Sequence, residues 1–393
     1  MLKIGVVVIA FLENPICTNW IYGLKSLGYN IAVLGCRKSV PTQIEIENWG
    51  LEGSDIPIFH IWDTFSIDTQ NKLESYLGGT PDILFSWEGA LILKTLKMVK
   101  KIYTNAKVIH SVTTYPSAAN ELTEVRMNWR YKNANSLINR YIFYSNIQRE
   151  TFVKNIPQAA NKPYLVIIEP FLEKAFFLNG TKDDNVPQLK RFDENPHIIF
   201  TGQGRHLWRK YSFLGLKFST LGRDSLGSFF KQLAEQGVHI FLPSQAETRN
   251  IPNFHLYPNF SNKDLFEGRL AQYISQFDAH LVMYNECNST MRRWVSSCLC
   301  TRFAYSLTST TPLAVTKTSR FVQEYWKDKP FGFTFSHVDE LAASLRNKQM
   351  LSSLRQNMET AHKSYSFESQ SWRIGQFFNE VLVDSRDLVI SDR

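Results

Sequence analysis

The sequence has little cysteine, no long apolar run and only a small excess of one charge. Each shortage removes a class of protein. Five cysteines in 393 residues are too few for a disulfide framework. Cys298 and Cys300 are separated by one residue, closer than the Cys-x-x-Cys spacing of zinc and redox sites, and no His pair flanks them. All five read as small buried side chains in a reducing compartment. No stretch approaches the ~20 apolar residues of a membrane-crossing helix. The opening residues 1–12 are briefly apolar behind a single Lys, and no small-residue cleavage site follows. Their β-branched content reads as a buried parallel strand, not a signal. A soluble, cytoplasmic protein is expected.

The chain is 44% hydrophobic, 20% charged and 13% aromatic, a globular composition long enough for two domains. The net charge is +8, and its location matters more than its size. Between residues 89 and 162, twelve Lys and Arg face three acids, which leaves the remainder close to neutral. No nucleic-acid recognition motif accompanies this segment, so no nucleic-acid partner is expected. On a helix over 90–103, Lys94, Lys97, Lys100 and Lys101 fall within about a third of the circumference. Ile92, Val99 and Ile102 point away, toward a sheet, and Leu93 falls inside the stripe. Arg126 and Arg130 stand one turn apart with Trp129 and Tyr131 interleaved, and Lys132 and Arg140 follow. Two readings stay open. One is a solvated helix face. The other is a basic, aromatic surface for anionic lipid headgroups, peripheral on the cytoplasmic face of a membrane.

Strand and helix patterns alternate along the first half. Strands are expected over 4–11, 29–35, 81–86, 107–112, 140–145 and 164–168, with helices over 18–27, 90–103 and from 147. Residues 178–196 turn polar, with two prolines and mixed charge, and read as a linker. The pattern then restarts: strands over 197–201, 238–242, 254–257, 279–284 and 312–316, and helices over 225–236, 262–276 (N-capped by Ser261), 302–308 and 369–383. This specifies α/β architecture with two parallel, doubly wound sheets, whose ligands bind beyond the carboxyl ends of the strands. The expected domains are 1–177 and 197–368, with a closing helical segment 369–393.

Several blocks then resemble a known family. Ile198-Ile199-Phe200-Thr201-Gly202, then Gly204-Arg205 and Lys210, is similar to the strand, Gly-Arg and Lys of retaining GT-B-fold glycosyltransferases of the group 1, family 4-like type. Asn253-Phe254-His255-Leu256-Tyr257-Pro258-Asn259-Phe260 with Asp264-Leu265 resembles the family's fourth-strand block, with Pro258 for the usual Gly. The run 273–284 looks like its Tyr, helix-end, Asp, strand signature. Residues 302–307 through Thr311-Pro312-Leu313-Ala314-Val315 resemble the donor-site helix, loop and strand. Trp372 matches the closing helix that crosses back to the first domain. The resemblance implies a GT-B fold of two doubly wound Rossmann-like domains facing a central cleft. It implies an enzyme that moves a sugar from a nucleotide-sugar donor to a hydroxyl acceptor with retention. The acceptor would be a cell-surface glycan or its lipid-linked precursor, as in polysaccharide biosynthesis. The nucleotide sugar is the substrate; no cofactor or metal is implied, and no Asp-x-Asp occurs in the chain.

The residues carried over are specific. Arg205 and Lys210 match the cations that neutralise the leaving diphosphate, with Arg209 as a substitute if the loop is offset. Arg302 and Tyr305 would line the donor pocket, Glu286 would bind sugar hydroxyls, and Phe260 falls near the nucleobase. Asn14, Thr18, Glu88 and Thr113 would lie on the acceptor side. Helix N-termini after Leu12 and Tyr284 would offer N–H groups to phosphate. The departures are as specific. Glu13-Asn14-Pro15 replaces a Gly-rich turn, and Thr113 replaces a His. Tyr305 stands where an acid holds the ribose, and Ser309-Thr310-Thr311 replaces a Gly-rich loop. His110 lies within a strand and reads as a core histidine. Phe260 and Glu88 also have structural readings, as a buried aromatic and a helix-start carboxylate, and the role of Glu286 stays open. Two rival functions therefore stand beside the transferase: a catalytically degenerate GT-B binding module and a nucleotide-sugar epimerase.

Overall fold

A computed structural model of the chain describes residues 3–12, 15–36, 41–61, 64–87, 89–90, 92–116, 121–177, 183–202, 204, 207–208, 210–213, 216–219, 225–286, 288–297, 301–326 and 329–383. The chain divides into two units. The first comprises residues 1–115, 122–172 and 366–393, and the second residues 116–121 and 173–365.

The first unit is built on seven strands: β1 Gly5–Ala10, β2 Asn30–Cys36, β3 Ile58–Ile61, β4 Ile83–Trp87, β5 Lys107–Ser111, β6 Arg140–Phe143 and β7 Tyr164–Val166. They pair in the order β3-β2-β1-β4-β5-β6-β7, and every pair is parallel. Val6, Val7, Val8 and Ile9 of β1 are wholly buried, as a central strand covered on both faces requires. Helices Pro15–Ser26, Ile67–Leu77, Leu93–Ile102, Glu121–Ala134 and Asn146–Asn155 alternate with the strands. Local signals set their ends. Ser66 accepts from the Thr69 amide and Gly78 closes the same helix at φ 77°, while Ser145 accepts from the Gln148 amide. Strand order reverses between β1 and β4, the switch point of a doubly wound sheet.

The C-terminal helix Phe367–Val383 packs into this first unit. Its Phe367 and Phe378 rings lie 5.9 and 6.4 Å from Trp20. Its Glu380 pairs with the buried Arg140 at 3.0 Å.

The second unit carries β8 His197–Ile199, β9 Lys210–Phe213, β10 Leu216–Ser219, β11 His239–Pro243, β12 Phe254–Tyr257, β13 Ala279–Val282, β14 Leu313–Thr316 and β15 Gly332–Phe335. Six of them form a second parallel sheet, β12-β11-β8-β13-β14-β15, while β9 and β10 make a separate antiparallel pair. The expected α/β, doubly wound alternation therefore holds in both units. Among the strands, three features were not expected, β3, the β9–β10 pair and β15, and the helices Gln43–Asn48 and Ile67–Leu77 were not expected either. The helix expected over 262–276 is also two helices, Asn262–Phe266 and Arg269–Ile274. Gly268 separates them at φ 79°, and a Cβ there would stand 3.0 Å from the Lys174 carbonyl oxygen. Ser261 does cap the first, in a reciprocal pair with Asp264. The described part of the polar stretch 178–196 is bonded to the second unit: Asp183 to Arg269 at 2.8 Å, the Leu189 amide to Gln276 at 2.7 Å, and Arg191 to Asp278 at 3.0 Å.

Candidate functional site

Strand order in the second sheet reverses between β8 and β13, so the carboxyl ends of these two strands mark where an open α/β sheet receives a ligand. Arg302 sits there. It opens the helix Thr301–Ser309, which returns from β13 toward β14, and only 8% of it is exposed. Its guanidinium donates to the Met283 carbonyl at 3.4 Å. It lies over two ring faces, with centroids at 4.4 Å for Tyr284 and 4.9 Å for Phe200. Tyr284 is itself backed edge-on by Trp294 at 4.6 Å. A cation in the first turn of a helix opposes the helix dipole, and its burial costs more. The ring quadrupoles and the carbonyl offset part of that cost. An anion at this position would receive both the guanidinium and the helix end.

Gly202, just past β8, makes the approach possible. A Cβ on it would stand 2.1 Å from the Phe200 ring and 2.8 Å from an Arg302 nitrogen. Behind the site, His280 of β13 joins three elements. Its Nδ1 is 2.6 Å from Ser306 Oγ and its Nε2 is 2.8 Å from Thr201 Oγ1. Burial, and secondarily the Arg302 charge, push its pKa from 6.5 down to about 3, so it serves as a neutral hydrogen-bonding bridge. Burial raises the Tyr257 hydroxyl, with Arg302 acting in opposition. Thr201, Gly202 and His280 carry this geometry. A Gly directly after a strand was the one sequence signal for it.

The other donor-side candidates distribute around this edge. Tyr305 follows Arg302 by nearly one turn on the same helix and is half-buried. Glu286 lies two residues past Tyr284, and its carboxylate accepts from Thr316 at 3.0 Å and from Thr318. Phe260 packs on Tyr273 with centroids 5.3 Å apart. Lys210 opens β9, in register with Ser219. Arg205 and Arg209 lie outside the described residues. Asn288 caps the helix Ser289–Ser297 by accepting from the Met291 amide at 2.7 Å. Ser309-Thr310-Thr311 lies at the opposite, amino-end side of the sheet, between the end of the Arg302 helix and the start of β14. Thr311 donates to the Ile274 carbonyl at 3.0 Å, and Thr310 adopts φ 54°.

In the first unit, Asn14 and Glu88 also lie outside the described residues. Thr18 is buried and donates to the Trp49 carbonyl at 2.8 Å. Thr113 is buried and accepts from the Gly89 amide at 3.1 Å. Both hydroxyls are thus engaged by backbone. His110 is a core residue, 2.6 Å from Ser86 Oγ, with its pKa pushed by burial to about 3.

Lys94 and Lys101 are exposed and Lys97 half-exposed on the helix Leu93–Ile102. Lys100 instead donates to the Ala106 carbonyl at 2.7 Å and to that of Thr104. Two expectations for this helix fail. Leu93 is buried in the core and Ile102 is 39% exposed, because the buried face centres on Leu96 and Val99 and Ile102 ends the helix. Arg126 is exposed and Arg130 half-exposed on the helix Glu121–Ala134.

No family model matches the chain, and no curated protein sequence matches it. Solved structures do match. HepE from Anabaena, in complex with UDP and glucose, is similar over 95% of this chain and 99% of that one, with a TM-score of 0.60 and 11% identity. The pneumococcal O-GlcNAc transferase GtfA, in complex with UDP and GlcNAc, covers 97% and 99% with a TM-score of 0.61 and 8% identity. TarM covers 97% and 99% with a TM-score of 0.58 and 9% identity. At these identities the likeness shows the fold, which is GT-B.

Proposed function

We propose that the chain is a glycosyltransferase that moves a sugar from a nucleoside-diphosphate sugar to a hydroxyl acceptor, with retention and without a metal. The observation that carries this reading is the buried Arg302 guanidinium at the β8–β13 carboxyl edge, in a chain whose fold matches structures solved with UDP. In the reaction, the bond from the anomeric carbon to the diphosphate oxygen breaks and a bond to the acceptor oxygen forms. The acceptor proton passes to the departing phosphate, so no side-chain base is required. Charge grows on the diphosphate as the bond breaks, and fixed cations there lower the barrier. Arg302 takes this role, with Arg205 and Lys210 assigned to it from the sequence resemblance. Tyr305 faces the ribose in place of an acid, Glu286 the sugar hydroxyls, and Phe260 the base. The acceptor, a cell-surface glycan or its lipid-linked precursor, is read from the resemblance alone.

A thermal-shift panel of UDP-, GDP- and ADP-glucose tests the reading. Stabilisation by one nucleotide, lost in Arg302→Ala, is expected, together with nucleotide release that persists in EDTA. No stabilisation by any of the three would overturn it.

A further inference from the structure

The helix Glu121–Ala134 turns an apolar row outward. Leu122, Val125 and Trp129 are 74%, 64% and 65% exposed, and their i, i+3, i+7 spacing puts them on one face. The opposite face anchors the helix. Tyr131 and Ala134 lie in the core with Met127 packed against them, and Asn128 accepts from Tyr115 at 2.6 Å. The row is therefore not a surface this helix needs for folding. Cations flank it: Arg126 at i+4 from Leu122, Arg130 one turn further on, and Lys132, which is exposed. Of the helix's two acids, Glu121 is exposed at its first residue and Glu124 is buried on the other side.

The neighbouring helix extends this surface. The connections from β4 through Leu93–Ile102 to β5, and from β5 through Glu121–Ala134 to β6, move the same way across a parallel sheet. Right-handed crossovers then put both helices on one face. Both also bury residues in a single core cluster. Lys94, Lys97 and Lys101 thus belong to the same outer layer as the apolar row, within the segment that holds the chain's charge surplus.

We infer that this layer docks on an anionic lipid bilayer, with Leu122, Val125 and Trp129 entering the interface and the flanking cations meeting the headgroups. An apolar row bordered by Arg and Lys is the pattern of a helix lying in the membrane plane. A solvated face has no use for an exposed Trp between Leu and Val.

The test is co-sedimentation of the full chain, without nucleotide, with vesicles of phosphatidylcholine plus phosphatidylglycerol against phosphatidylcholine alone. Binding should favour the anionic vesicles and weaken with salt. The triple change Leu122→Ser, Val125→Ser, Trp129→Ser should lower binding about tenfold or more, while unchanged thermal unfolding shows that the fold is intact. Arg126→Glu with Arg130→Glu should remove the preference for anionic vesicles. Absent binding at low salt, or binding that neither set of changes alters, would overturn the inference. So would a dimer in solution that the triple change dissolves, because the row would then be a self-contact. Nucleotide binding enters none of these outcomes, so they stand apart from the transferase reading.

Discussion

Arg302 lies over the face of Tyr284, its guanidinium carbon 4.4 Å from the ring centroid. The helix dipole and the burial both oppose a cation there. A charge retained against its own stability cost is the signature of a binding group. Arg302→Met should therefore leave the ligand-free protein as stable as before, or more stable, while costing about 1.5–3 kcal/mol of UDP affinity. Arg302→Lys keeps the charge but not the planar stacking, and should fall between. Calorimetric UDP titration with parallel denaturant melts checks both; a Met variant that melts early yet binds UDP normally would assign Arg302 a purely structural role.

His110 and His280 contribute to an acid limit of the fold, alongside His255, which burial lowers to about 4. Burial lowers His110 and His280 from 6.5 to about 3, so the unfolded chain binds protons that the folded one refuses. Stability is full above pH 6.5 and falls as the pH drops toward 3, by about 1.4 kcal/mol per pH unit for each histidine. His280→Gln keeps hydrogen-bonding capacity and does not titrate. Its stability should decline less steeply between pH 6 and pH 4 than that of the parent, by about one histidine's slope. Parallel curves would show that His280 is not a source of the acid limb.

Much of the architecture was legible because burial writes it locally. Val6 to Ile9 read as a doubly covered central strand, and they are. β3 was invisible because it has four residues, three of them half-buried, so its pattern is neither alternating nor continuously apolar. The break at Gly268 was hidden by apolar spacing that continues across it; the residue there has a left-handed φ and little room for a Cβ beside a carbonyl nearly a hundred residues away in sequence. The candidate site divides the same way. Arg302 was reached through the order of motifs around it, not through any local pattern. Thr18 reads as a polar residue at a helix start on the acceptor side, but its hydroxyl goes to Trp49, 31 residues on, which no local pattern discloses.

The docking of the C-terminal helix depends on a missing side chain. A Cβ on Gly23 would stand 2.3–2.5 Å from three Phe367 ring carbons, a distance no packed core tolerates. Gly23→Ala removes a helix-interior glycine, which alone would stabilise by up to about 1 kcal/mol. The clash should reverse the sign and give a net loss of about 1–3 kcal/mol. Gly23→Ala combined with Phe367→Leu should recover part of it. Urea melts of the two variants decide the matter: a stabilised single variant would mean that the ring has room to move.

Thr310 holds a conformation that its side chain disfavours. Its φ of 54° is left-handed, and a β-branched residue there costs about 1–3 kcal/mol. The family resemblance expects a Gly-rich loop at this point, so the turn has kept a glycine's backbone without the glycine. Its surroundings enforce the turn: Thr311 donates to Ile274 at 3.0 Å, and the Ser309 hydroxyl to the Ser306 carbonyl at 3.2 Å. Thr310→Gly should relieve the strain, give back some of it as unfolded-chain entropy, and stabilise by about 1 kcal/mol net. Thr311→Ala, which removes one of the two donors to the Ile274 carbonyl and leaves the Phe277 amide at 3.1 Å, should destabilise by about 0.5–1.5 kcal/mol. Because this turn lies at the amino-end side of the second sheet, neither change should alter the UDP-induced thermal shift. Denaturant melts with and without UDP separate the outcomes: a destabilised Thr310→Gly would show that the turn is not strained, and a lost UDP shift would move the donor site to the other end of the sheet.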